Sequence, residues 1–338
     1  MKKLFNTRER MADDMIDGFL AAYPDAVARG GHPRIVRRAR PKDGDRVALV
    51  IGNGSGHEPI AMGFVGTGLL DANVVGDVFA APSADRILEG LQEVTGPAGS
   101  VLLISRHEGD VINGMEAAML AADAGLNVAP LWMYDDISSA PKGEEEERRG
   151  AAGTMFIYKI LGAAAEEGMA LDALVALGEA VRGATRTLGA AMSAGISPLT
   201  GKPMFTLPDD EVFIGMGVHG EPGVARRKVE PVADLVDFMV AAILEDRAIA
   251  PGTPTVALVN GSGGTTMMEL LTVYRELGRV MAARGIPLTS PMIGNFSTTQ
   301  ETAAFSISLL TPDDRMLRFW RAPQASPHFP AIGAGGVA

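Results

Sequence analysis

The chain has 338 residues, of which 47% are hydrophobic, and a formal net charge of −11 at pH 7. The length is comfortable for two domains, and the hydrophobic content supplies an ample core, which argues against disorder. The acidic balance argues against nucleic acid and anionic membranes as partners. The sequence contains no cysteine, which excludes disulfides, thiolate nucleophiles and cysteine metal sites and is consistent with a reducing compartment.

The first residues do not read as a targeting segment. Lys2 and Lys3 are soon followed by Asn6 and charged residues instead of an apolar run. No apolar stretch reaches the ~18 residues that a membrane helix needs. We therefore expect a soluble, cytoplasmic protein.

Short apolar runs alternate with segments of helical periodicity, which predicts an α/β fold. We expect two domains, 1–192 and 193–338, divided near the turn-rich segment Ser193–Pro203, each with a mixed or largely parallel sheet flanked by helices. The predicted strands are Val47–Ile51, Val101–Ile104, Val128–Met133, Val212–Val218, Val256–Val259 and Phe305–Leu310. The predicted helices are Gly114–Ala124, Thr154–Glu167, Leu171–Met192, Val232–Leu244 and Thr266–Arg284.

Two histidines stand in glycine-rich sequences at or just after the ends of predicted strands. They are His57, in Gly54-Ser55-Gly56-His57-Glu58-Pro59, and His219, in Gly217-Val218-His219-Gly220-Glu221-Pro222-Gly223. Glycines let the backbone and the imidazole approach a small ligand closely, and ligands of α/β sheets bind beyond the strand ends. A lone histidine in such a loop is usually structural. Two of them suggest that one holds a substrate and the other moves its proton.

A third strand end carries further polar groups. The strand Val101–Ile104 runs into Ser105-Arg106-His107-Glu108-Gly109-Asp110. The carboxylate of Asp110 can orient a neighbouring imidazole and raise its basicity, and aspartate is also a favoured helix cap. The charge run from Glu144 to Arg149 is interpreted as a solvated loop or helix start.

Nucleotide and metal sites find little support in the sequence. Gly195–Lys202 approaches a P-loop, but its glycines are one residue too far apart and Pro203 replaces the required Ser/Thr. The Gly261–Gly264 turn either contacts a ligand or is a tight βα turn. The five histidines lack metal-binding spacings. We expect that this chain binds neither ATP nor a metal by itself.

Together these motifs resemble the substrate-binding K subunit of dihydroxyacetone kinases, from about Leu4 to Pro330. The two histidine motifs in this order are the most specific part. Other matching segments are Gly109-Asp110, Arg148-Arg149-Gly150, Gly162–Glu166, Gly201-Lys202-Pro203 and Phe305-Ser306-Ile307.

The resemblance implies a role for each matching residue. His219 forms a covalent hemiaminal with the carbonyl of a small hydroxyketone, and His57 is the general base. Asp110 binds the substrate and assists that base. The substrate pocket is lined by Gly54, Ser55 and Gly56.

The resemblance also implies partners. Family members are homodimers of a two-domain α/β subunit, and a separate L subunit holds the nucleotide, ADP or ATP with Mg²⁺. For stand-alone K subunits the phosphoryl source is usually the phosphotransferase system, through an M subunit. An ATP-using L subunit is the alternative.

One segment departs from the family pattern. Ser105–Asp110 stands where the family has Lys-Asn-Tyr-Thr-Gly-Asp, so Ser105 replaces a substrate-binding lysine, and Arg106 and His107 become candidate contacts. We therefore expect the substrate to be dihydroxyacetone, a four-carbon ketose such as erythrulose, or another hydroxyketone. The alternative to a kinase subunit is a sensor that binds the ketone without turnover. A sensor has no use for His57, so the sequence favours the enzyme.

Overall fold

The computed structural model describes residues 3–217, 220–221 and 223–329. They form two six-stranded mixed sheets with flanking helices, which confirms the predicted α/β class. The helices are α1 (Met11–Ala22), α2 (Ala84–Val94), α3 (Glu108–Asp123), α4 (Thr154–Glu166), α5 (Leu171–Gly183), α6 (Val232–Asp246), α7 (Met267–Ala283) and α8 (Asp314–Trp320). The strands are β1 (Val27–Arg29), β2 (Ile35–Arg38), β3 (Ala48–Ser55), β4 (Ala72–Val78), β5 (Ser100–Ser105), β6 (Val128–Met133), β7 (Thr185–Ser193), β8 (Glu211–Ile214), β9 (Ala225–Lys228), β10 (Thr255–Gly261), β11 (Leu288–Gly294) and β12 (Ala303–Leu310).

The first sheet has the strand order β1-β2-β4-β3-β5-β6, and β3 pairs in parallel with both β4 and β5. Its central strands are buried on both faces, as parallel strands covered by helices require. Along β3, Val50 packs towards α2 and α3, whereas Leu49 and Ile51 face α4 and α5. Because β3 and β5 run in the same direction, the segments that follow them emerge at one edge of the sheet.

The second sheet has the order β11-β10-β12-β7-β8-β9, and its only parallel pair among the described strands is β10 with β11. One face packs on α6 and α7 through residues such as Ala257 and Val259. On the other face, Val256 and Leu258 pack in the same core as Leu49 and Ile51 of the first sheet. A single continuous core therefore joins the two halves.

The α4 helix lies at the centre of that shared core. Twelve of its 13 residues are buried, including every aliphatic and aromatic one. A helix that is apolar on all sides is either buried or spans a membrane, and α4 is too short for the second role. None of the helices in the described ranges is long and apolar enough to cross a membrane.

The predicted helix Leu171–Met192 is wrong in its second part. Helix α5 ends at Gly183, and β7 then pairs with β12 on one side and with β8 on the other. Alanine and methionine in this segment suit a helix, but its place between two strands decides its conformation, because strand preference depends on tertiary context. Since β7 belongs to the second sheet, that sheet begins before residue 193, and the domain division itself stays a prediction.

Six strands were not predicted from the sequence: β1, β2, β4, β7, β9 and β11. The edge strand β9 consists of Ala225, Arg226, Arg227 and Lys228, and the inner strand β4 contains Asn73, Gly76 and Asp77. Neither segment shows an apolar run or a clean alternation, so the hydrophobic pattern gives no strand signal.

A buried ion pair fixes the connection between β6 and α4. Arg148 is 1% exposed, and its guanidinium forms a two-pronged pair with the carboxylate of Asp246, which also accepts from Arg186 of β7. Burial raises the pKa of Asp246, but the hydrogen bonds from the two arginines outweigh it, so the pKa lies below its usual value. The stabilisation from this carboxylate is therefore present above its unfolded pKa of about 4 and is lost as the pH falls below it.

We predict that Asp246→Asn lowers the free energy of unfolding at pH 7 by roughly 3–5 kcal/mol, because it leaves Arg148 charged and buried. Urea unfolding measures the difference, which should shrink as the pH is lowered through the carboxyl range. Asp237→Asn on the same helix is the control, since the Asp237–Arg284 pair is exposed and should contribute less than about 1 kcal/mol. Equal losses of unfolding free energy in Asp246→Asn and Asp237→Asn would contradict the stabilising role of the buried Asp246 pair.

Candidate functional site

A cleft of about 570 Å³ opens where β3 and β5 end. The parallel pairing of the two strands brings the residues that follow them to the same edge, as expected for a ligand site in an α/β sheet. The loop before α4, residues 149–151, forms another wall. The second half of the molecule contributes Glu221 and Ser297. The cleft is therefore built by both halves together.

Most of the predicted site residues lie in this cleft. Its lining includes Gly54, His57, Arg106, His107 and Asp110. The lining does not include Ser55, which is 2% exposed at the end of β3, or Gly56. The predicted covalent residue, His219, lies outside the described residues.

His57 is held in one tautomer by the second half of the molecule. Its Nδ1 lies 2.8 Å from the carbonyl oxygen of Thr298, and the ring is 8% exposed. A carbonyl oxygen can only accept a hydrogen bond, so Nδ1 carries the proton and donates it. In the neutral ring the lone pair is then on Nε2, which is the arrangement that a general base requires.

The glycines before His57 shape the turn that presents it. A Cβ at Gly54 would lie 2.8 Å from the backbone nitrogen of Ala80, and Gly56 has φ +99° with the Phe79 ring 2.7 Å from its Cβ position. The backbone N–H of Gly56 donates to the carboxylate of Glu58. Burial raises the pKa of Glu58, against the lowering effect of that hydrogen bond. Glycine is thus required at position 54 by the close approach of the Ala80 backbone, and at position 56 by the positive φ and the Phe79 ring.

The altered segment places Ser105, His107 and Asp110 beside one another. Nδ1 of His107 lies 3.0 Å from Oγ of Ser105 and 3.8 Å from Oδ2 of Asp110. Both partners face the same ring nitrogen, whereas a catalytic serine triad has them on opposite nitrogens, so this is not such a triad. The cluster offers a hydroxyl, an imidazole and a carboxylate to a polyhydroxy ligand.

Asp110 is the third residue of α3, and the N-cap is His107. Its negative charge in the first turn suits the positive end of the helix dipole, and its side chain lines the cleft. The interpretation of Asp110 as the helix cap is therefore wrong, and its place in the cleft lining is consistent with its interpretation as a candidate site residue.

Arg106 lines the cleft and contacts residues on two neighbouring segments. Its Nη2 donates to Oε1 of Glu147 over 3.0 Å, and its guanidinium lies 5.5 Å from the centre of the Trp132 ring. Arg106 thus connects the altered segment with the acidic run before α4, away from the lysine position that Ser105 occupies.

Arg149 and Tyr158 are among the cleft residues that the sequence analysis did not name as site residues. Arg149 was grouped with a solvated charge run, but its Nη2 donates to Oδ2 of Asp136 over 3.0 Å and its Nη1 lies 3.9 Å from Oε2 of Glu221. Tyr158 is buried in α4, and burial raises its pKa well above the usual range. Thr154 and Tyr158, four residues apart on an apolar helix, were the available signal for this face.

Asp135 fixes the loop that carries Arg149. Its buried carboxylate accepts from the backbone N–H of Ala151 over 2.6 Å and of Gly153 over 2.9 Å, and from the hydroxyl of Thr187 in β7. Burial raises the pKa of Asp135 to about 6, although the hydrogen bonds oppose the rise. The carboxylate thereby ties the start of α4 to the second sheet.

The Gly261–Gly264 turn is a packing feature. Gly263 has φ +109°, and a Cβ there or at Gly264 would overlap the carbonyl oxygens of Gln300 and Glu301. The start of α7 is satisfied by its own capping box between Thr266 and Glu269. The structure thus supports the tight-turn interpretation over an anion site.

Comparison with known proteins places the chain in a family. The model of the Dak1 domain matches residues 17–328, so the chain belongs to the Dak1 domain family. It is 38% identical over 314 residues to the PTS-dependent dihydroxyacetone kinase 1, dihydroxyacetone-binding subunit DhaK, of Listeria innocua serovar 6a, covering 93% of this chain and 95% of that protein. The resemblance inferred from the histidine motifs is confirmed.

Two further similar proteins are named as a D-erythrulose kinase and as an operon co-activator. The chain is 37% identical over 329 residues to the D-erythrulose kinase of Mycolicibacterium smegmatis, covering 97% of this chain and 56% of that protein. It spans, therefore, only about half the length of this second relative. A solved structure, the dihydroxyacetone kinase operon co-activator Dha-DhaQ, superposes with a TM-score of 0.87 at 29% identity, covering 94% of this chain and 98% of that one.

We predict that His57 is the Nδ1–H tautomer at neutral pH, because its Nδ1 faces the Thr298 carbonyl. Nitrogen-15 NMR of the histidine-labelled protein distinguishes the two ring nitrogens by their shifts and proton couplings. His57→Gln identifies the signals by their loss. A proton on Nε2 of His57 would contradict the assignment and remove the lone pair that the base needs.

Proposed function

We propose that this chain is the ketone-binding subunit of a kinase that phosphorylates a small hydroxyketone. The phosphoryl donor is held by a separate L-type subunit with ADP or ATP and Mg²⁺. The observation that carries the proposal is the cleft in which His57, with its proton on Nδ1, lies in the same lining as Asp110. The DhaK relative supports it, because its name describes the binding subunit of a dihydroxyacetone kinase.

The first step is covalent capture of the substrate by His219. An unprotonated ring nitrogen bonds to the carbonyl carbon, and the π electrons of the C=O bond move to oxygen. That oxygen gains a proton and the ring loses its own, which leaves a neutral hemiaminal. Glycerol has no electrophilic carbon and is excluded. Capture also fixes the reacting hydroxyl, so orientation entropy is lost before the transfer step.

The second step is phosphoryl transfer to the captured substrate. Nε2 of His57 takes the proton of a terminal hydroxyl as its oxygen attacks phosphorus and the bond from phosphorus to the donor breaks. Asp110 binds the substrate from the first turn of α3, which follows the neighbouring strand β5. Acid pH should protonate the imidazoles and suppress both steps.

A four-carbon ketose is the second candidate substrate. The short side chain of Ser105 stands at a position where the family has lysine, and Ser105 and His107 both line the cleft. A hydroxyl and an imidazole there suit an additional substrate hydroxyl. The similarity to a D-erythrulose kinase favours the same alternative.

We predict that carbon-13 NMR of the protein with carbonyl-labelled dihydroxyacetone shows a protein-bound signal of a tetrahedral carbon. His219→Ala should abolish it, because the covalent bond has no other partner in the proposal. His32→Ala is the control, since His32 does not line the cleft. If the signal is absent with dihydroxyacetone and with labelled erythrulose, covalent capture is wrong.

We predict that the chain, supplied with the L-type subunit of a related kinase and a phosphoryl donor, phosphorylates dihydroxyacetone or erythrulose. Removal of the general base in His57→Ala should lower kcat by roughly 10²–10⁴ while the NMR adduct persists. Phosphate ester formation is measured for each ketose in parallel.

The outcome separates the kinase from a regulator. Turnover that survives His57→Ala would refute the mechanism. An adduct that forms with no phosphorylation of any ketose would favour a sensor, the alternative suggested by the similarity to an operon co-activator.

A further inference from the structure

The segment on either side of His219 is docked on the connection between β6 and α4. The hydroxyl of Ser138 lies 3.1 Å from the carbonyl oxygen of Gly215, and Gly215 has φ +74° with its Cβ position overlapping Ser138. Only glycine allows so close an approach. This first contact fixes the segment where it leaves β8.

Arg149 forms the second and third contacts with that segment. A Cβ at Gly217 would overlap both the guanidinium of Arg149 and the carboxylate of Glu221, so the two side chains pass directly against this glycine. The Nη1 of Arg149 lies 3.9 Å from Oε2 of Glu221. The backbone N–H of Gly217 donates to the carbonyl oxygen of Glu221 over 3.2 Å.

Arg149 is itself held from both ends. Its backbone N–H donates to the Ser139 hydroxyl over 2.9 Å, and its carbonyl accepts from the N–H groups of Asp135 and Asp136 over 3.1 Å each. Its Nη2 donates to Oδ2 of Asp136, whose Oδ1 accepts from Ser138. The guanidinium therefore bridges two carboxylates, Asp136 on its own connection and Glu221 on the histidine segment.

We propose that Arg149 is a positioning residue for ketone capture, because it holds Gly217 and Glu221, described residues on either side of His219 in the chain, beside the cleft. The inference rests on the proposed function of His219. A planar guanidinium can face two carboxylates at once, which a lysine ammonium on a flexible stem cannot reproduce. Loss of the cation removes the ion pair with Asp136 and the positive charge beside Glu221, so the contact that holds Gly217 and Glu221 to this connection is weakened.

The neighbouring arginine gives an internal contrast. Arg148 is 1% exposed and pairs with Asp246 on α6, so it stabilises the fold. Arg149 lines the cleft and also a small cavity of about 50 Å³ beside it, which Asp136 and Gly217 line as well. Of these two adjacent arginines, Arg148 thus stabilises the core and Arg149 belongs to the site.

The test compares ketone capture in Arg149→Gln, Arg149→Lys and the unaltered protein, using carbonyl-labelled dihydroxyacetone or, if it gives the adduct instead, labelled erythrulose. We expect the apparent ketone affinity to fall by roughly 10- to 100-fold in Arg149→Gln, because displacement of a reacting group by about 1 Å has effects of this size. Arg149→Lys should recover part of the loss. Arg318→Gln, which breaks an exposed pair with Glu167, is the control and should bind like wild type.

A positioning role also predicts what does not change. The nitrogen-15 signals of His57 should keep the wild-type tautomer in Arg149→Gln, whereas a general collapse of the cleft would alter them. Asp136→Asn combined with Arg149→Gln should restore part of the affinity, because it removes the unpaired charge. If Arg149→Gln does not fold, Glu221→Gln decides, with a smaller loss in the same direction.

The result that overturns the inference is an adduct in Arg149→Gln, or in Glu221→Gln where that variant decides, with affinity within about twofold of wild type, less than the displacement of a reacting group would cause. Failure of the proposed function looks different, since the unaltered protein would then form no adduct with any ketose. A loss of the adduct together with altered His57 signals would also overturn the positioning role, in favour of a structural one.

Discussion

The hydrogen bonds to the buried carboxylate of Asp135 are the interactions on which the rest of the site depends. It is 3% exposed, yet it accepts hydrogen bonds from two backbone N–H groups at the start of α4 and from Thr187 of β7. A buried charge is tolerated only when it is well satisfied, and here the partners come from different parts of the chain. Asp135 therefore fixes the central helix, the second sheet and the Arg149 loop relative to one another.

The cleft is a consequence of that arrangement. The first sheet supplies His57 and Asp110 at the ends of two parallel strands, and the second half supplies the Thr298 carbonyl that selects the His57 tautomer. The shared core around α4 holds the two halves in contact. The protonation state of the proposed base thus depends on packing between segments about 240 residues apart in the chain.

The proposed chemistry divides into capture by His219 and proton transfer by His57. A kinase subunit needs both, whereas a sensor needs only the first. Proteins similar to this chain over almost its full length include two named as kinases or kinase subunits and one named as an operon co-activator. In the proposal, the anchored ring of His57 is the feature that favours turnover.

Ser105, which the family resemblance predicts to stand in the place of a lysine, makes local contacts. The hydroxyl oxygen of Ser105 lies 3.0 Å from Nδ1 of His107. It also packs against Gly150, since a Cβ at that glycine would lie 2.6 Å from it. The segment is thus packed and polar, and the strand that carries it pairs with β6 along its full length.

The sequence alone determined the α/β class and indicated His57 and Asp110 as candidate residues at strand ends, because apolar runs, glycine-framed histidines and strand-end motifs are local signals; the structure places both in the lining of one cleft. All five predicted helices have counterparts, although part of one is a strand. Only the tertiary structure decided that 185–193 is β7, because its neighbours β12 and β8 are distant in sequence. It also showed that the Glu144–Arg149 run is not simply a solvated loop and that Thr298 orients His57. Ion pairs and carbonyl contacts between remote segments have no periodicity, so no pattern in the sequence could reveal them.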